Sequence, residues 1–558
     1  MSDCRKNLRQ SFLPFFQKTC YNLYMSIRKQ LDSAAAGRIL VLDGAMGSVI
    51  QTLNLNENDF RGGQFANHPI PLAGCNDLLC LTKPQAIGEI HEAYLESGAD
   101  IIETCSFNST SISLSDYGLG DLAYKISLAA AKIARKSADK FATNAKPRFV
   151  AGSIGPTAKG ASLYPDVNDP AKRSIVWDEL ESAYYDNVCG LLDGGADILL
   201  VETVFDTLNA KAALFAISRL LDEKRADVPV IISAAVSGES GRLLSGQNLE
   251  AFCISVLHSN PWAVGLNCSF NAQKLLPHIR LLAETVPCFV CAYPNAGLPN
   301  RVGRYEETPE IMSANVEEIL KEGIVNIIGS CCGSTPAHTA AIAEKAALYQ
   351  PRKKPADFRV CRLAGLEPLK GEIRIRGAKK DAKTKEFLEL LGKGGYEDAV
   401  DAARELVEEG SAIIEIQTDD EIAVGGFLDF ALMNPYVAKV PFFINSWSWN
   451  VIQTALKRMQ GRGLAGPINL SGGKDDFLRK AQLIRRFGAA ALVTLADEEG
   501  QAGTIERQIE IARRSYKLLQ KSKYPVENVL FTPDFTAPDC EKVCLWIKEN
   551  CPGALYAL

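Results

Sequence analysis

The sequence predicts an α/β protein with two (β/α)8 barrels in tandem, the second of them truncated. Short runs rich in β-branched residues alternate with longer segments of helical periodicity, and this alternation starts twice along the chain. The two series are separated by AALYQPRKKPADFRV, a basic, proline-containing stretch that is typical of a linker. The 558 residues are also more than one ordinary domain needs.

The first series contains eight predicted strands, separated for the most part by helical segments such as KPQAIGEIHEAYLESGA. Eight strand–helix units match a TIM-type barrel, which closes at eight strands, better than an open sheet. The predicted strands are ILVLD (39–43), DIIET (100–104), RFVAGSIG (148–155), DILLVET (197–203), PVIISAA (229–235), WAVGLNC (262–268), CFVCAY (288–293) and VNIIGSCC (325–332).

The second series contains about seven strands, and the chain stops at the seventh. An unclosed barrel leaves an exposed strand edge. Three interpretations follow: an incomplete fragment, an edge covered by another chain, or a domain of marginal stability. The predicted strands are EIRIRG (372–377), AIIEIQ (412–417), VPFFIN (440–445), PINLS (467–471), AALVTLA (490–496), NVLFT (528–532) and ALYAL (554–558).

These patterns divide the chain into four segments. We expect an N-terminal extension at 1–36, a first barrel at 37–352, a linker at 353–370 and an incomplete second barrel at 371–558. The extension mixes basic and aromatic residues but has no apolar stretch of signal-peptide or membrane-spanning length. We therefore expect a cytoplasmic protein without a membrane partner, in which Met25 is an alternative start.

Charge and cysteine content exclude two further classes of protein. The net charge of −5 is spread along the chain, so we expect no nucleic-acid partner. Sixteen cysteines in a cytoplasmic chain argue against a disulfide framework, because that compartment keeps thiols reduced. Most of them, including Cys189, Cys253 and Cys288, are expected to be small apolar core residues.

Three cysteines are candidates for a metal site. Cys268 ends the sixth predicted strand, and Cys331 and Cys332 end the eighth. The carboxyl ends of barrel strands meet on one face, so the three thiols can converge, and three thiolates with an open fourth position suit a catalytic zinc ion. The spacing is not that of a zinc finger, and by itself it leaves open a redox pair or simple burial.

Glycines flank the adjacent cysteines in GSCCGS, and they favour the metal hypothesis. Small neighbours at Gly329 and Gly333 allow two consecutive side chains to bend toward one ion, where a regular strand would send them to opposite faces. Adjacent cysteines rarely form an unstrained disulfide. A zinc site of this kind would activate a substrate thiol without a general base. That agrees with the histidines, none of which ends a barrel strand: His68, His91, His258, His278 and His338.

Acidic strand ends suit the rest of a thiol substrate. Asp43, Glu103 and Glu202 end the first, second and fourth strands. Asp43 and Glu202 could bind an ammonium group, and the backbone N–H groups of Gly44 and Ala45 could bind a carboxylate. Taken singly, Asp43 could equally cap a helix and Glu202 could be a buried, ion-paired carboxylate. Together they imply an amino acid that carries a thiol.

The first series resembles, in order and over residues 37–352, the homocysteine-binding barrel of the cobalamin-dependent methionine synthase family. The resemblance implies that Cys268, Cys331 and Cys332 bind Zn2+, with Asn295 as a ligand when no substrate thiol is present. It further implies that Asp43, Gly44, Glu202 and the CSFNST segment around Ser106 contact homocysteine. The motifs that carry the resemblance are RILVLDGAMGSVIQ, DFRGGQF, GADIIETCSFNST, YPDVNDPAKR, VETVFDTLNAKAA, GLNCSFN, PNAGLPN and IIGSCCGSTPAH.

The second series resembles the methyltetrahydrofolate-binding barrel of the same family through CRLAGLEPLKGE, ALKRMQGRGL and RRFGAAALVTLADEEGQA. The positions that would hold a pterin have changed, and an amide in place of a carboxylate supplies a donor where the pterin needs an acceptor. We therefore do not expect productive binding of methyltetrahydrofolate. The changed positions are Ala378, Lys379, Lys380 and Asp381 in the signature after the first strand, then Gln417, Asn445, Gly466 or Pro467, and Thr532.

The function expected from this resemblance is a zinc-dependent homocysteine S-methyltransferase that forms methionine. The sequence contains no D-x-H-x-x-G cobalamin signature. The methyl group is therefore expected to come from methylcobalamin or a separate corrinoid protein. Two alternatives remain: a homocysteine methyltransferase that uses a small sulfonium or betaine donor, and a docking or scaffold protein for a corrinoid partner.

Overall fold

The computed structural model describes residues 26–166, 169–301, 303, 305–355, 362–369, 382–534 and 540–556. The first domain is an eight-stranded parallel sheet curled into a nearly closed barrel, as predicted. Every predicted strand of the first series overlaps an observed one. The observed strands are β1 (Leu40–Val41), β2 (Ile101–Glu103), β3 (Phe149–Ile154), β4 (Ile198–Val204), β5 (Val230–Ala234), β6 (Ala263–Cys268), β7 (Phe289–Pro294) and β8 (Ile327–Ile328).

Strands β1 and β8 close one side of the barrel, and β1 approaches β2 on the other. Leu40 pairs with Ile327, and Gly329 lies so close to Leu42 that a Cβ atom at the glycine would meet the leucine Cβ at 2.8 Å. An isolated parallel bridge joins Leu42 to Ile101, and the N–H of Asp43 donates to the Ile101 carbonyl at 3.0 Å. These contacts bring the ends of β1, β2 and β8 to one rim.

Helices surround this barrel and close its lower end. Helix α1 packs beneath the barrel, where Leu31 and Ala35 are fully buried in the same apolar cluster as Leu40 and Ile101. The helices are α1 (Ile27–Gly37), α2 (Met46–Thr52), α3 (Glu57–Arg61), α4 (Leu79–Thr82), α5 (Pro84–Glu96), α6 (Ser111–Ser115), α7 (Ala123–Phe141), α8 (Trp177–Asp193), α9 (Thr207–Lys224), α10 (Leu249–Val256), α11 (Ala272–Thr285), α12 (Pro309–Lys321) and α13 (Pro336–Ala346).

The second domain contains a six-stranded parallel sheet of order β16-β15-β12-β11-β10-β9 and a short hairpin, β13-β14. It is a partial barrel within the described residues, and the predicted strand at 372–377 lies outside them. The strands are β9 (Ile414–Gln417), β10 (Phe442–Asn445), β11 (Leu464–Ile468), β12 (Ala490–Thr494), β13 (Ala496–Asp497), β14 (Gly500–Gln501), β15 (Val529–Thr532) and β16 (Leu555–Tyr556).

One predicted strand of this domain is displaced. The prediction placed a strand at 467–471, whereas β11 begins at Leu464. Proline usually marks a strand end because it has no N–H to donate. Here Pro467 lies inside the strand, at a register irregularity between Ala465 and Ile468 where β11 pairs with β12. The irregularity removes the need for that N–H.

Helices of the second domain lie between its strands, as the alternating pattern predicts. They are α14 (Ala382–Lys393), α15 (Tyr396–Glu408), α16 (Glu421–Ala431), α17 (Pro435–Ala438), α18 (Trp449–Leu456), α19 (Gly473–Arg486), α20 (Ile505–Lys521) and α21 (Cys540–Asn550). No helix among the described residues is both long enough and apolar enough to cross a lipid bilayer.

The two domains pack directly against each other. The ring of Phe487 in the second domain lies 4.7 Å from that of Phe215 and 5.5 Å from that of Trp177, measured between centroids. Arg173 pairs with Asp429 across the boundary at 2.9 Å, and both side chains are about nine-tenths buried. The apolar core is therefore continuous from one domain into the other.

Candidate metal and substrate site

The interior of the first barrel changes from apolar to polar toward the carboxyl ends of its strands. Successive side chains of a strand point to opposite faces. Ile101 and Leu200 belong to the apolar cluster above α1, and the residues two positions further along the same strands are Glu103 and Glu202. Both carboxyl groups therefore face the inside of the barrel above its apolar floor.

Three thiols meet at the same rim. The Sγ atom of Cys268 lies 3.7 Å from that of Cys332, which lies 4.0 Å from that of Cys331. All three sulfurs lie within 4.8 Å of one another, and no other group of three or more His, Cys, Asp or Glu ligand atoms in the described chain is as compact. A tetrahedral zinc ion with bonds of about 2.3 Å would hold sulfurs about 3.8 Å apart. The trio fits that requirement.

Unusual backbone at the end of β6 turns Cys268 toward the other thiols. Cys268 and Ser269 have φ of +55° and +61°, in the left-handed region that few residues other than glycine adopt. The Ser269 hydroxyl supports this turn, since it accepts the N–H of Val236 at 2.9 Å and donates to the Asn267 carbonyl at 3.1 Å. Strain of this kind persists only where its surroundings impose it.

The adjacent cysteines are held by their own backbone. The N–H of Cys331 donates to the Pro294 carbonyl at 2.7 Å, and the carbonyl of Cys332 accepts the N–H of Ala296 at 2.9 Å. Gly333 has φ +82° and packs against Tyr305 so closely that a Cβ atom would not fit. The glycine predicted to let both side chains bend inward thus occupies a left-handed turn under an aromatic ring.

The thiols of this trio perturb one another's pKa. Hydrogen bonds from Cys331 and Cys332 lower the pKa of Cys268. The pKa of Cys331 is raised because it donates to Cys268 and Cys332, and burial raises it further. The pKa of Cys332 is also raised, chiefly by its hydrogen bond to Cys268. The three thiols are thus close enough to alter one another's ionisation, and the thiolate is the form that binds a metal ion.

Asn295 lies beside these thiols, directly after β7. Its side chain hydrogen-bonds to Cys268 and contributes to the lowered pKa of that thiol. Its Oδ1 atom is buried and has no hydrogen-bond partner within the described residues. A buried amide oxygen without a partner is costly, and this one is placed to serve a ligand at the thiol site.

A β-bulge in β4 presents Glu202. The pairing of β4 with β5 shifts between Val201 and Val204, and Thr203 has φ +56°. Asn267 holds the bulge, because it accepts the N–H of Thr203 at 3.1 Å and donates to its Oγ1 atom at 2.8 Å. The Glu202 carboxylate accepts a hydrogen bond from Ser153, and burial raises its pKa to about 7. Bulges often re-aim side chains beside functional sites.

Asp43 lies between β1 and β2 at the same rim. Its Oδ2 atom accepts the N–H of Glu103 at 3.0 Å, whereas its Oδ1 atom is buried without a partner in the described part of the chain. Burial raises the pKa of Asp43, the hydrogen bond from Glu103 opposes the rise, and the charge of Glu202 adds to it. The two acids predicted to bind an ammonium group thus lie close enough to repel each other.

Of the other predicted substrate contacts, Ala45 and Ser106 already form internal hydrogen bonds, and Gly44 is closely packed. Gly44 approaches Ser334 so closely that a Cβ atom would lie 2.7 Å from the serine hydroxyl, and the N–H of Ala45 donates to that hydroxyl at 3.1 Å. Ser106 is fully buried and donates to the Ser153 carbonyl at 2.7 Å. A ligand carboxylate that used Ala45 would have to compete with Ser334.

The degenerate positions of the second domain fall at its strand ends. Gln417 ends β9, and Asn445 ends β10, where its side-chain amide donates to Glu415 at 2.7 Å. Thr532 ends β15 and donates weakly to the Pro533 carbonyl at 3.4 Å. Asp381 lies outside the described residues. At the end of β10, the amide of Asn445 is therefore paired with Glu415, at a position where a pterin would need a carboxylate with two acceptor oxygens.

Sequence reasoning gave no role to four residues of the first site. Glu103 was placed at a strand end only, and Asn267, Tyr293 and Tyr305 were not singled out. Strand alternation carries a signal for Tyr293, which follows the interior residue Cys291 by two positions. Tyr305 comes from a loop, and no periodicity indicates it.

Family models describe both domains. The model "Homocysteine S-methyltransferase" matches residues 40–346, more than half of the 558 residues. The model "Pterin binding enzyme" matches residues 385–540. The first match covers all eight strands of the barrel and the three clustered cysteines.

The solved structures that are similar to parts of this chain include a methyltransferase and a synthase. The homocysteine methyltransferase MmuM from Escherichia coli, in its metallated form, is 22% identical over 57% of this chain and 99% of its own, with a TM-score of 0.44. A dihydropteroate synthase from Coxiella burnetii is 13% identical over 56% of this chain and 93% of its own, with a TM-score of 0.30. On the strength of the family model, the chain belongs to the homocysteine S-methyltransferase family.

Proposed function

We propose that this protein is a zinc-dependent homocysteine S-methyltransferase that forms methionine. The observation that carries the proposal is the convergence of Cys268, Cys331 and Cys332, with sulfurs within 4.8 Å of one another, at the rim that also carries Asp43 and Glu202. Thiol ligands and acidic groups on one rim suit a substrate that has a thiol at one end and an ammonium group at the other.

Each group has a task in this proposal. Cys268, Cys331 and Cys332 would hold the ion, which when bound lowers the pKa of a substrate thiol. Asp43 and Glu202 attract the ammonium group and so orient the thiol toward the three cysteines. The buried Oδ1 atom of Asn295 supports a role at the ion in the absence of substrate. Orientation of this kind supplies much of the rate of a bimolecular transfer.

The proposed methyl donor is methylcobalamin, either free or on a separate corrinoid protein, as in the family that the sequence resembles. The resemblance to that family extends to the second domain, which matches the pterin-binding family model. Its altered pocket, with Asn445 bonded to Glu415, argues against methyltetrahydrofolate as a productive ligand. A small sulfonium or betaine donor is the alternative.

The first experiment measures zinc content and homocysteine-dependent methyl transfer in the intact protein and in the Cys332→Ser variant. We expect about one zinc per intact chain, and a loss of zinc affinity of at least about tenfold with loss of activity in the variant. The control is Cys189→Ser, which removes a half-buried thiol outside the cluster. Full zinc content and activity in Cys332→Ser would refute the assignment.

The second experiment identifies the donor. Purified zinc-loaded protein is given homocysteine with methylcobalamin, with an S-methyl sulfonium compound or with betaine, and methionine is measured. Methionine from methylcobalamin alone is expected. Methionine from a sulfonium or betaine donor but not from methylcobalamin would replace the corrinoid proposal with the alternative.

A further inference from the structure

Four polar groups line the interior of the barrel above its apolar floor, and only two of them were expected to bind substrate. Asp43 and Glu202 are joined there by Glu103 from β2 and by Tyr293 from β7. Strand alternation places Glu103 two residues above Ile101 and Tyr293 two residues above Cys291, and both of these lower residues are in the interior cluster. The four groups therefore form one polar layer on the inner face of the barrel, above its apolar floor.

Two of the four carry a buried oxygen that has no hydrogen-bond partner within the described residues, namely Oδ1 of Asp43 and Oε1 of Glu103. The hydroxyl of Tyr293 lies close enough to Glu202 to lower the pKa of that carboxyl by a hydrogen bond. Asp43 is 2% exposed and Tyr293 is 1% exposed. Each such atom costs free energy unless a ligand or water satisfies it.

The carboxyl groups also lack a cation of their own. None of the ion pairs formed by the described residues includes Asp43, Glu103 or Glu202. Burial raises the pKa of Glu103, and the charges of Glu202 and Asp43 raise it further. Acids in such surroundings favour their neutral form unless a cation accompanies them, so a cationic ligand bound here would stabilise their charged form.

An ammonium group is a cation that suits these acids, because each of its three N–H donors can bond a different carboxylate oxygen. Among the described residues, the acids do not belong to a compact group that could hold a metal ion.

We propose that Glu103 is a third carboxylate of the ammonium subsite and that Tyr293 completes the floor of that subsite. This inference rests on the proposed function and deepens it. Glu103 determines specificity: it favours α-amino thiols over thiols that lack the amino group. The unpartnered Glu103 Oε1 atom accepts one ammonium N–H, while Asp43 and Glu202 accept the others.

The test compares homocysteine with 4-mercaptobutanoate, which has the same thiol and carboxylate but no amino group. Dissociation constants for both are measured by calorimetry on zinc-loaded wild-type protein and on Glu103→Gln. We expect wild type to prefer homocysteine, and the variant to lose about tenfold of that preference with little change for 4-mercaptobutanoate, as one lost charge contact implies. Asp100→Asn, which removes a buried carboxyl at the opposite, amino end of β2, is the matched control and should keep the preference.

The outcomes separate the two proposals. Equal weakening of both ligands in Glu103→Gln, or an unchanged preference, overturns the role of Glu103 and leaves the proposed function standing. Failure of zinc-loaded wild type to bind either thiol overturns the proposed function and this inference with it. The melting temperature is a second readout: a purely structural Glu103 predicts a lower value in Glu103→Gln, whereas a residue kept for a ligand predicts an equal or higher one.

Discussion

Asn267 holds Thr203 through two hydrogen bonds, of 3.1 Å to the backbone N–H and 2.8 Å to the hydroxyl. Asn267 immediately precedes Cys268, and Thr203 immediately follows Glu202. A third bond, from the Ser233 hydroxyl at 2.7 Å, fixes the orientation of the amide. One buried side chain therefore positions both a thiol of the trio and a carboxylate of the ammonium subsite.

Replacement of Asn267 by Ala should loosen both groups. We expect the dissociation constant for homocysteine to rise about tenfold or more, with a loss of about 1–3 kcal/mol in the free energy of unfolding from the polar groups left unpaired. Calorimetry and urea unfolding measure the two effects. Asn326→Ala is the matched control, since Asn326 is equally buried, lies at the amino end of β8, and accepts the N–H of Val290 and donates to the carbonyl of Arg352 instead. A similar loss of homocysteine affinity in both variants would contradict a positioning role for Asn267.

Tyr305 is expected to tune the thiol site from its rim. Its hydroxyl lies close enough to Cys332 to hydrogen-bond to it and to oppose the rise in the pKa of that thiol. Tyr305→Phe removes this donor and should weaken zinc binding about three- to tenfold, because thiolate formation becomes less favourable. Competition with a chromogenic chelator measures the affinity. Tyr349→Phe, which removes a hydroxyl bonded to Glu317, should bind zinc like wild type; if it weakened zinc binding to the same degree, the role of Tyr305 would be refuted.

The barrel was predictable because its signal is local and repeated. Each strand that ends in a site residue is a short apolar run, and the parallel arrangement brings those ends together without further information. Cys268 and Cys331 were found this way. The predicted position of β11 was displaced, because the prediction placed the start of the strand at Pro467. In the structure Pro467 lies inside the strand, at a register irregularity where the missing N–H of proline breaks no regular pairing.

The finer structure of the site depends on tertiary contacts that no local pattern records. Cys268 and Thr203 have left-handed backbone although neither is glycine. This conformation therefore could not be predicted from the residue types. The hydrogen bond from the Ala45 N–H to the Ser334 hydroxyl joins residues that are 289 positions apart in the sequence. Such contacts decide which predicted donors remain available to a ligand.

Lys211 gives the domain boundary a pH dependence. It is 1% exposed, and its amine donates to the carbonyls of Met459 at 2.8 Å and Gly461 at 3.0 Å. Burial, with a smaller contribution from the charge of Arg462, lowers its pKa to about 7. A neutral amine has two N–H donors, and these two carbonyls accept them.

The sign of the effect follows from that lowered pKa. Between pH 7 and the ordinary lysine value of 10.5, unfolding takes up a proton, so stability rises with pH by up to about 1.4 kcal/mol per unit and is lost as pH falls toward 7. Between pH 7.5 and 9.0, wild type should gain about 1–2 kcal/mol more than Lys211→Met in urea unfolding. Parallel pH profiles for the two proteins would show that Lys211 does not titrate in this range.

The buried pair of Arg173 and Asp429 should stabilise the boundary only while both partners are present. Asp429 also accepts from Arg458 at 3.3 Å, so Asp429→Ala leaves the buried Arg173 without its counter-charge. We expect a loss of about 3–5 kcal/mol in the free energy of unfolding, while zinc content stays unchanged because the pair lies outside the thiol site. The exposed pair of Lys457 and Asp178, at 2.7 Å, is the control, and Asp178→Ala should cost less than about 1 kcal/mol.

Removing both charges in Arg173→Met/Asp429→Leu should recover much of the lost stability, since the penalty arises from the unpaired charge. If the double variant were no more stable than Asp429→Ala, the contact would depend on the shape of the two side chains and not on their charge.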